Sequence, residues 1–117
     1  MRNLILGLLA VAIASLVTLG VGYSNSLNDP VVRQAHVTVQ KWPVGQRPLR
    51  VLALSDIHVA GPDMPPERLR RISSDLMTLR PDLIVISGDL VSEKRVATAL
   101  YSAREILEAM QNLDAPL

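Results

Sequence analysis

From Leu4 to Val21 the chain carries no charged side chain, and its most polar members are Ser15 and Thr18. About eighteen such residues, at roughly 1.5 Å of rise each, make a helix of about 27 Å, close to the hydrocarbon thickness of a bilayer. A soluble fold would have to surround this helix with apolar side chains. The rest of the chain is too small to do so. The segment therefore reads as a membrane anchor over residues 1–22. A cleaved signal peptide has a shorter apolar region, about 7–15 residues, although Gly20-Val21-Gly22 offers a small-x-small site. The N-terminal amine and Arg2 lie before the run, and no Lys or Arg falls between Tyr23 and Val32. That asymmetry places the N-terminus in the cytoplasm and the following domain outside it, at the inner membrane of a cell.

Beyond the anchor and a polar linker over residues 23–34, the region 35–117 is near the lower end of ordinary domain size. Cys is absent, which excludes disulfides, thiolate zinc sites and Cys nucleophiles. The net charge is only +1 and there is no Phe, with one Trp and two Tyr. Neither the electrostatic footprint nor the stacking platform of a nucleic-acid binder is present, and no nucleic-acid partner is expected.

Hydrophobic patterning then gives the order of elements. His36 to Gln40 alternates and is β-branched, as in a strand with one wet face and His36 as an ordinary exposed residue. Trp42 to Pro48 holds two prolines and a glycine and reads as a turn. Leu49 to Leu54 and Asp82 to Ser87 are short apolar runs of the kind buried on both faces of a parallel sheet. Between them, a helix starting at about Pro65 places Leu69, Ile72, Leu76 and Leu79 on one stripe and turns Arg68, Arg70 and Arg71 to water, or to acidic lipid headgroups. Pro81 stops it. Ser92 is a candidate cap for a last helix, with Val96, Ala99, Leu100, Ala103, Ile106, Leu107 and Met110 on its apolar face. Strand, helix, strand, helix implies an α/β architecture with parallel strands joined by a crossover. Sites in such sheets form outside the carboxyl ends of the strands. Those ends are Ser55 to Ala60 and Gly88 to Val91.

Both places hold ligand-type residues. Ser55-Asp56-Ile57-His58 follows the first strand; if the backbone stays extended, side chains two apart face the same point. A carboxylate and an imidazole suit divalent zinc, manganese or iron. Gly88-Asp89 follows the next strand. If the strands are neighbours, about 4.8 Å apart, Asp89 reaches the same ion, and a carboxylate can bridge two cations about 3.5–4 Å apart. Gly88, lacking a Cβ, lets backbone and ligand approach. An Asp after a strand is also an ordinary helix cap. The placement of both pairs at one sheet edge is what favours a metal site.

Leu52-Ala53-Leu54-Ser55-Asp56-Ile57-His58, together with Pro81-Asp82-Leu83-Ile84-Val85-Ile86-Ser87-Gly88-Asp89-Leu90-Val91, closely resembles the opening of the calcineurin-like metallophosphoesterases, most of all a bacterial, membrane-anchored branch. The resemblance implies the first βαβα units of a β-sandwich flanked by helices. It also implies two divalent metal ions (Mn, Fe or Zn), with Asp56 and His58 on the first, Asp89 bridging both, and Ser55 and Gly88 supporting the site. The activity implied is metal-dependent hydrolysis of a phosphoester or phosphoanhydride, on a phosphorylated small molecule or lipid. The family's Gly-Asn-His-Asp/Glu and Gly-His-x-His motifs, which bring further ligands and the general-acid His, do not occur. The sequence is therefore expected to be a truncated, inactive portion of the enzyme. The competing expectations are a membrane-tethered binding or scaffold module without catalysis and, last, a nucleotide-binding domain, for which no Gly-rich loop follows either strand.

Overall fold

A computed structural model describes residues 1–92 and 94–116. Helix α1 spans Arg2–Ser26 and buries none of its side chains. The apolar run thus forms one continuous helix, longer than the expected 1–22 by a polar turn, and its side chains are not buried against the rest of the chain. It is long and apolar enough to cross a membrane. Strand β1 (Val51–Ser55), helix α2 (Pro66–Met77), strand β2 (Leu83–Ser87) and helix α3 (Ala103–Met110) follow in order. β1 and β2 pair in parallel, Val51 opposite Leu83 through Ser55 opposite Ser87. α2 joins them. It therefore starts at the carboxyl end of the strands and runs back toward their amino end.

Asp82 fixes that register. Its N–H donates to the Arg50 carbonyl at 2.8 Å, and its Oδ2 accepts from the Arg50 N–H at 2.8 Å. Its Oδ1 takes an Arg47 guanidinium at 2.6 Å. A one-residue slip would break this bracket along with the facing of every strand side chain. The Arg47 hydrogen bond, followed by the Arg50 N–H, holds the Asp82 carboxyl below the usual carboxylate range.

α2 begins with Pro66 at its first helical position, where the missing N–H costs nothing. Leu69, Ile72 and Leu76 are buried as the spacing predicts, but the helix ends at Met77, so Leu79 lies beyond it. Two of the arginines expected in water are engaged. Arg68 donates to the carbonyls of Ser26 at 2.9 Å and Asn28 at 2.5 Å, and also to that of Asp63. Arg71 forks onto Asp29 at 2.6 and 3.1 Å. Only Arg70 is left exposed with no such contact among the described residues. The main core joins Val59, Leu69, Ile106, Ala109 and Met110, and it lies directly beneath the loops at the carboxyl end of the sheet.

Three further expectations change. His36 to Gln40 forms no strand, because no neighbouring strand accepts its backbone, and His36 is exposed. The strands are not buried on both faces: Val51, Val85 and Ile86 are 48%, 43% and 39% exposed. Among the described residues the sheet has two strands, and a groove of about 1350 Å³, lined by Leu52, Leu54, Leu69, Ile72 and Leu76, separates β1 from α2. The last helix starts not at Ser92 but at Ser102, whose hydroxyl accepts from the Glu105 N–H while the Glu105 carboxylate accepts from the Ser102 N–H. This reciprocal cap outcompetes the single hydroxyl of Ser92, which accepts from the Lys94 N–H at 3.4 Å. Val96, Ala99 and Leu100 consequently lie outside the helix, Leu107 is 63% exposed, and Glu93 is outside the described residues.

Ile106 is 1% exposed in the core, so Ile106→Ala is expected to cost about 2–4 kcal/mol, measured by urea unfolding. A carboxyl whose folded pKa is depressed adds stability above its unfolded pKa and loses it as pH falls through the folded one. Asp82 (held by Arg47) and Asp63 (held by Lys94) are both depressed. The thermal midpoint is therefore expected to be flat near neutrality and to fall below about pH 4. Asp82→Asn should lower it at pH 7 and reduce its slope in acid.

Candidate metal centre

The ladder between β1 and β2 does not stop where the strands end. The Asp56 N–H donates to the Ser87 carbonyl at 3.1 Å, the His58 N–H to the Asp89 carbonyl at 3.0 Å, and the Val59 N–H to the Leu90 carbonyl at 2.8 Å. Val59 also bridges Val91 in parallel. Each of the three expected ligands thus sits in one of two loops that are hydrogen-bonded to each other at the carboxyl edge of the sheet. Ser55 and Ser87 face each other as the last strand pair.

The loops are braced from outside. Gly61 exchanges backbone hydrogen bonds with Ala99 at 2.9 Å and Thr98 at 3.1 Å, and Ala60 pairs with Met64 across a tight turn. The Lys94 ammonium meets the Asp63 carboxylate at 2.7 Å, tying the segment after β2 to the one after β1. That hydrogen bond holds Asp63 below the usual carboxylate range.

Backbone conformation at the ligand positions corrects one expectation. Asp56 and His58 have φ of 50° and 49°. They occupy the left-handed region and not extended backbone, so their side chains are not aligned by strand alternation. Asp and His tolerate this region better than most residues. The conformation is imposed by the ladder to the neighbouring loop, and no local sequence pattern announces it.

Gly88, at φ 77°, lies against the Asp56 carboxyl. A Cβ there would overlap Asp56 Oδ1 and stand 2.9 Å from its Cγ. The glycine is thus the cradle into which Asp56 fits. The donors, two carboxylates and an imidazole, match the chemistry of Mn, Fe or Zn. The fit is partial: among the described residues no three His, Asp or Glu side chains converge into a cage that could hold an ion. Backbones are assembled; side-chain donors are not. Asp56 and Asp89 are both exposed, and His58 is half-buried.

Gly88→Ala is expected to cost about 1–2 kcal/mol from positive φ alone and to displace the Asp56 carboxyl. Solution NMR of the Asp56 and Asp89 amides should register both, and Asp56→Ala in the same background should relieve the overlap but not the backbone strain.

No family model and no solved structure matches the chain. Curated relatives do. A Danio rerio protein named "Transmembrane protein with metallophosphoesterase domain" is 34% identical over 110 residues, 94% of this chain and 24% of its own length. The Bos taurus protein of the same name is 34% identical over 82 residues, 70% of this chain and 18% of its own. A Caenorhabditis elegans protein whose name carries the same metallophosphoesterase term is 32% identical over 69 residues, 59% of this chain and 14% of its own. The chain thus spans a quarter or less of these relatives. All three are animal proteins, so the bacterial branch expected from the sequence gains no support from them. The similarity supports the metallophosphoesterase family, in the membrane-associated form that two of the three names describe.

Proposed function

We propose that the chain supplies the first metal-binding loops of a phosphoester or phosphoanhydride hydrolase tethered to a membrane by α1, with its N-terminus in the cytoplasm. The observation that carries the reading is the ladder past the strand ends, which holds Asp56, His58 and Asp89 in two mutually hydrogen-bonded loops. Names of relatives that cover most of this chain point to the same family. Left-handed backbone at two consecutive ligand positions is of the kind that functional loops retain.

In this reading Asp56 and His58, with Asp89 from the neighbouring loop, would be the residues that hold the divalent cations. Such cations supply Lewis acidity toward a phosphoryl oxygen and toward water. The chain's own contribution is positional. The ladder sets the spacing between the two loops, Gly88 admits the Asp56 carboxyl, and the Lys94–Asp63 pair braces the rim. Further ligands and the general acid have no counterpart among these residues, so negligible hydrolysis of an aryl phosphate is expected from the chain alone.

The lack of a convergent three-donor cluster among the described residues favours one alternative, a tethered scaffold of the same fold with no metal. Titration of the chain with Mn²⁺, followed by electron paramagnetic resonance, separates the two. Asp56→Asn and Asp89→Asn are each expected to weaken binding at least about tenfold, the usual scale for a lost ligand or its support. Binding that is absent in the unsubstituted chain, or unaffected by both substitutions, would sink the hydrolase reading.

A further inference from the structure

α1 has no basic residue in its last turn; the Ser26 hydroxyl and the Leu27 and Asn28 N–H groups donate to the carbonyls of Tyr23, Ser24 and Asn25, which leaves the Ser26 carbonyl, and the negative end of the dipole, to an outside partner. Arg68 supplies it from the first turn of α2, reaching the carbonyl of Ser26 and, just beyond the helix, that of Asn28, and Arg71 follows one turn later with a fork onto Asp29. The two contacts differ in strength. The Arg71–Asp29 pair is half or more exposed on both sides, a class of ion pair worth little and screened by salt. Arg68 is only partly exposed and places a charged donor on backbone oxygens from two segments, plus that of Asp63. This is the firmer hold.

The position of the hold matters. α2 starts at the carboxyl end of the strands, so its first turn lies at the same end of the layer as Asp56, His58 and Asp89. Asp63, whose carbonyl Arg68 also takes, belongs to the loop that follows His58. Val21, the last residue of the apolar run, precedes Ser26 by five residues, about 7–8 Å of helix. The headgroup zone on each side of the hydrocarbon is of similar depth, about 5–8 Å. Ser26 therefore reaches the outer boundary of the headgroups, with Tyr23 within them as an interfacial ring. Whatever Arg68 holds to Ser26 is held there too.

We infer that Arg68 and Arg71 lock the domain onto the exit of α1 with its metal-centre edge facing the lipid headgroups, so that this edge is a membrane-facing surface whose partner is the headgroup layer of the leaflet from which α1 emerges. A phosphoester carried on a lipid of that leaflet meets the edge without leaving the bilayer. The inference rests on the proposed function only for what the edge does there; its height above the bilayer is independent of metal or turnover.

The chain has no cysteine, so single labels are clean. Glu67→Cys and Thr78→Cys place a fluorophore on exposed sites near the two ends of α2. The chain is reconstituted in phosphatidylcholine–phosphatidylglycerol nanodiscs containing a lipid with a headgroup-linked quencher, with no metal added. With the labels about 16 Å apart along the helix axis, quenching at position 67 is expected to exceed that at 78 at least about threefold. The Arg68→Ala/Arg71→Ala pair should bring the ratio toward one, and Arg68→Lys, which puts one nitrogen in place of the two that reach Ser26 and Asn28, should lower it partway. Equal quenching at the two positions in the otherwise unsubstituted chain, or stronger quenching at 78, overturns the inference even if Mn²⁺ binding is normal. Retention of the full ratio in a folded double variant overturns the role of the arginines. A threefold ratio with no Mn²⁺ binding leaves the surface standing and removes the hydrolase.

Discussion

One continuous parallel ladder organises everything below the membrane helix. At its amino end the Asp82 carboxylate and N–H bracket the backbone of Arg50. At its carboxyl end the Asp56, His58 and Val59 N–H groups donate across to Ser87, Asp89 and Leu90. Parallel pairs leave no short hairpin to set their register, so the register must be fixed by specific groups. Asp82 fixes it chemically and the Val59–Val91 bridge fixes it by packing, because Val59 is wholly buried in the core beneath the loops. The three ligand-type residues sit between these fixed points. Shifting the ladder by one residue would separate Asp89 from His58 as surely as deleting either one.

The same ladder explains what was legible in the sequence. Apolar runs bounded by Pro and Gly placed β1 and β2 within two residues of their true ends, and the pair Pro65-Pro66 placed the start of α2. The identities and neighbourhood of Asp56, His58, Asp89 and Gly88 follow from that order of elements, since a βαβ unit brings both strand tips to one edge. Side-chain direction did not follow. It depends on left-handed backbone at Asp56 and His58, which the partner loop imposes and local propensity does not encode.

Other differences have separate causes. Alternation over His36 to Gln40 measures capacity to pair, while a strand needs a partner edge, and β-propensity is largely a statement about that context. The start of α3 was written in the sequence as Ser102-Ala103-Arg104-Glu105, a Ser-x-x-Glu capping box. It was obscured by the longer apolar stripe that began at Val96. Apolar strands read as doubly buried remain half-bare because a two-stranded sheet with a groove behind it offers too little surface to cover them.

The arginines of α2 show how far charge in a sequence can be misread when the chain is considered one element at a time. On a helix wheel Arg68, Arg70 and Arg71 are a solvated face. In three dimensions Arg68 and Arg71 are tied to the exit of α1, and among the described residues Arg70 alone of the three has no such contact. The last carbonyl of α1, at Ser26, has no basic residue in its own turn to meet it, and the cations that reach the helix exit lie some forty positions later in the chain, at Arg68 and Arg71. Because the helix that supplies them begins where the strands end, satisfying the end of α1 also settles which edge of the sheet lies beside it. The inferred placement of the candidate metal centre beside the exit of α1 therefore rests on these arginine contacts, and it needs no contact between the ligand residues and α1 at all.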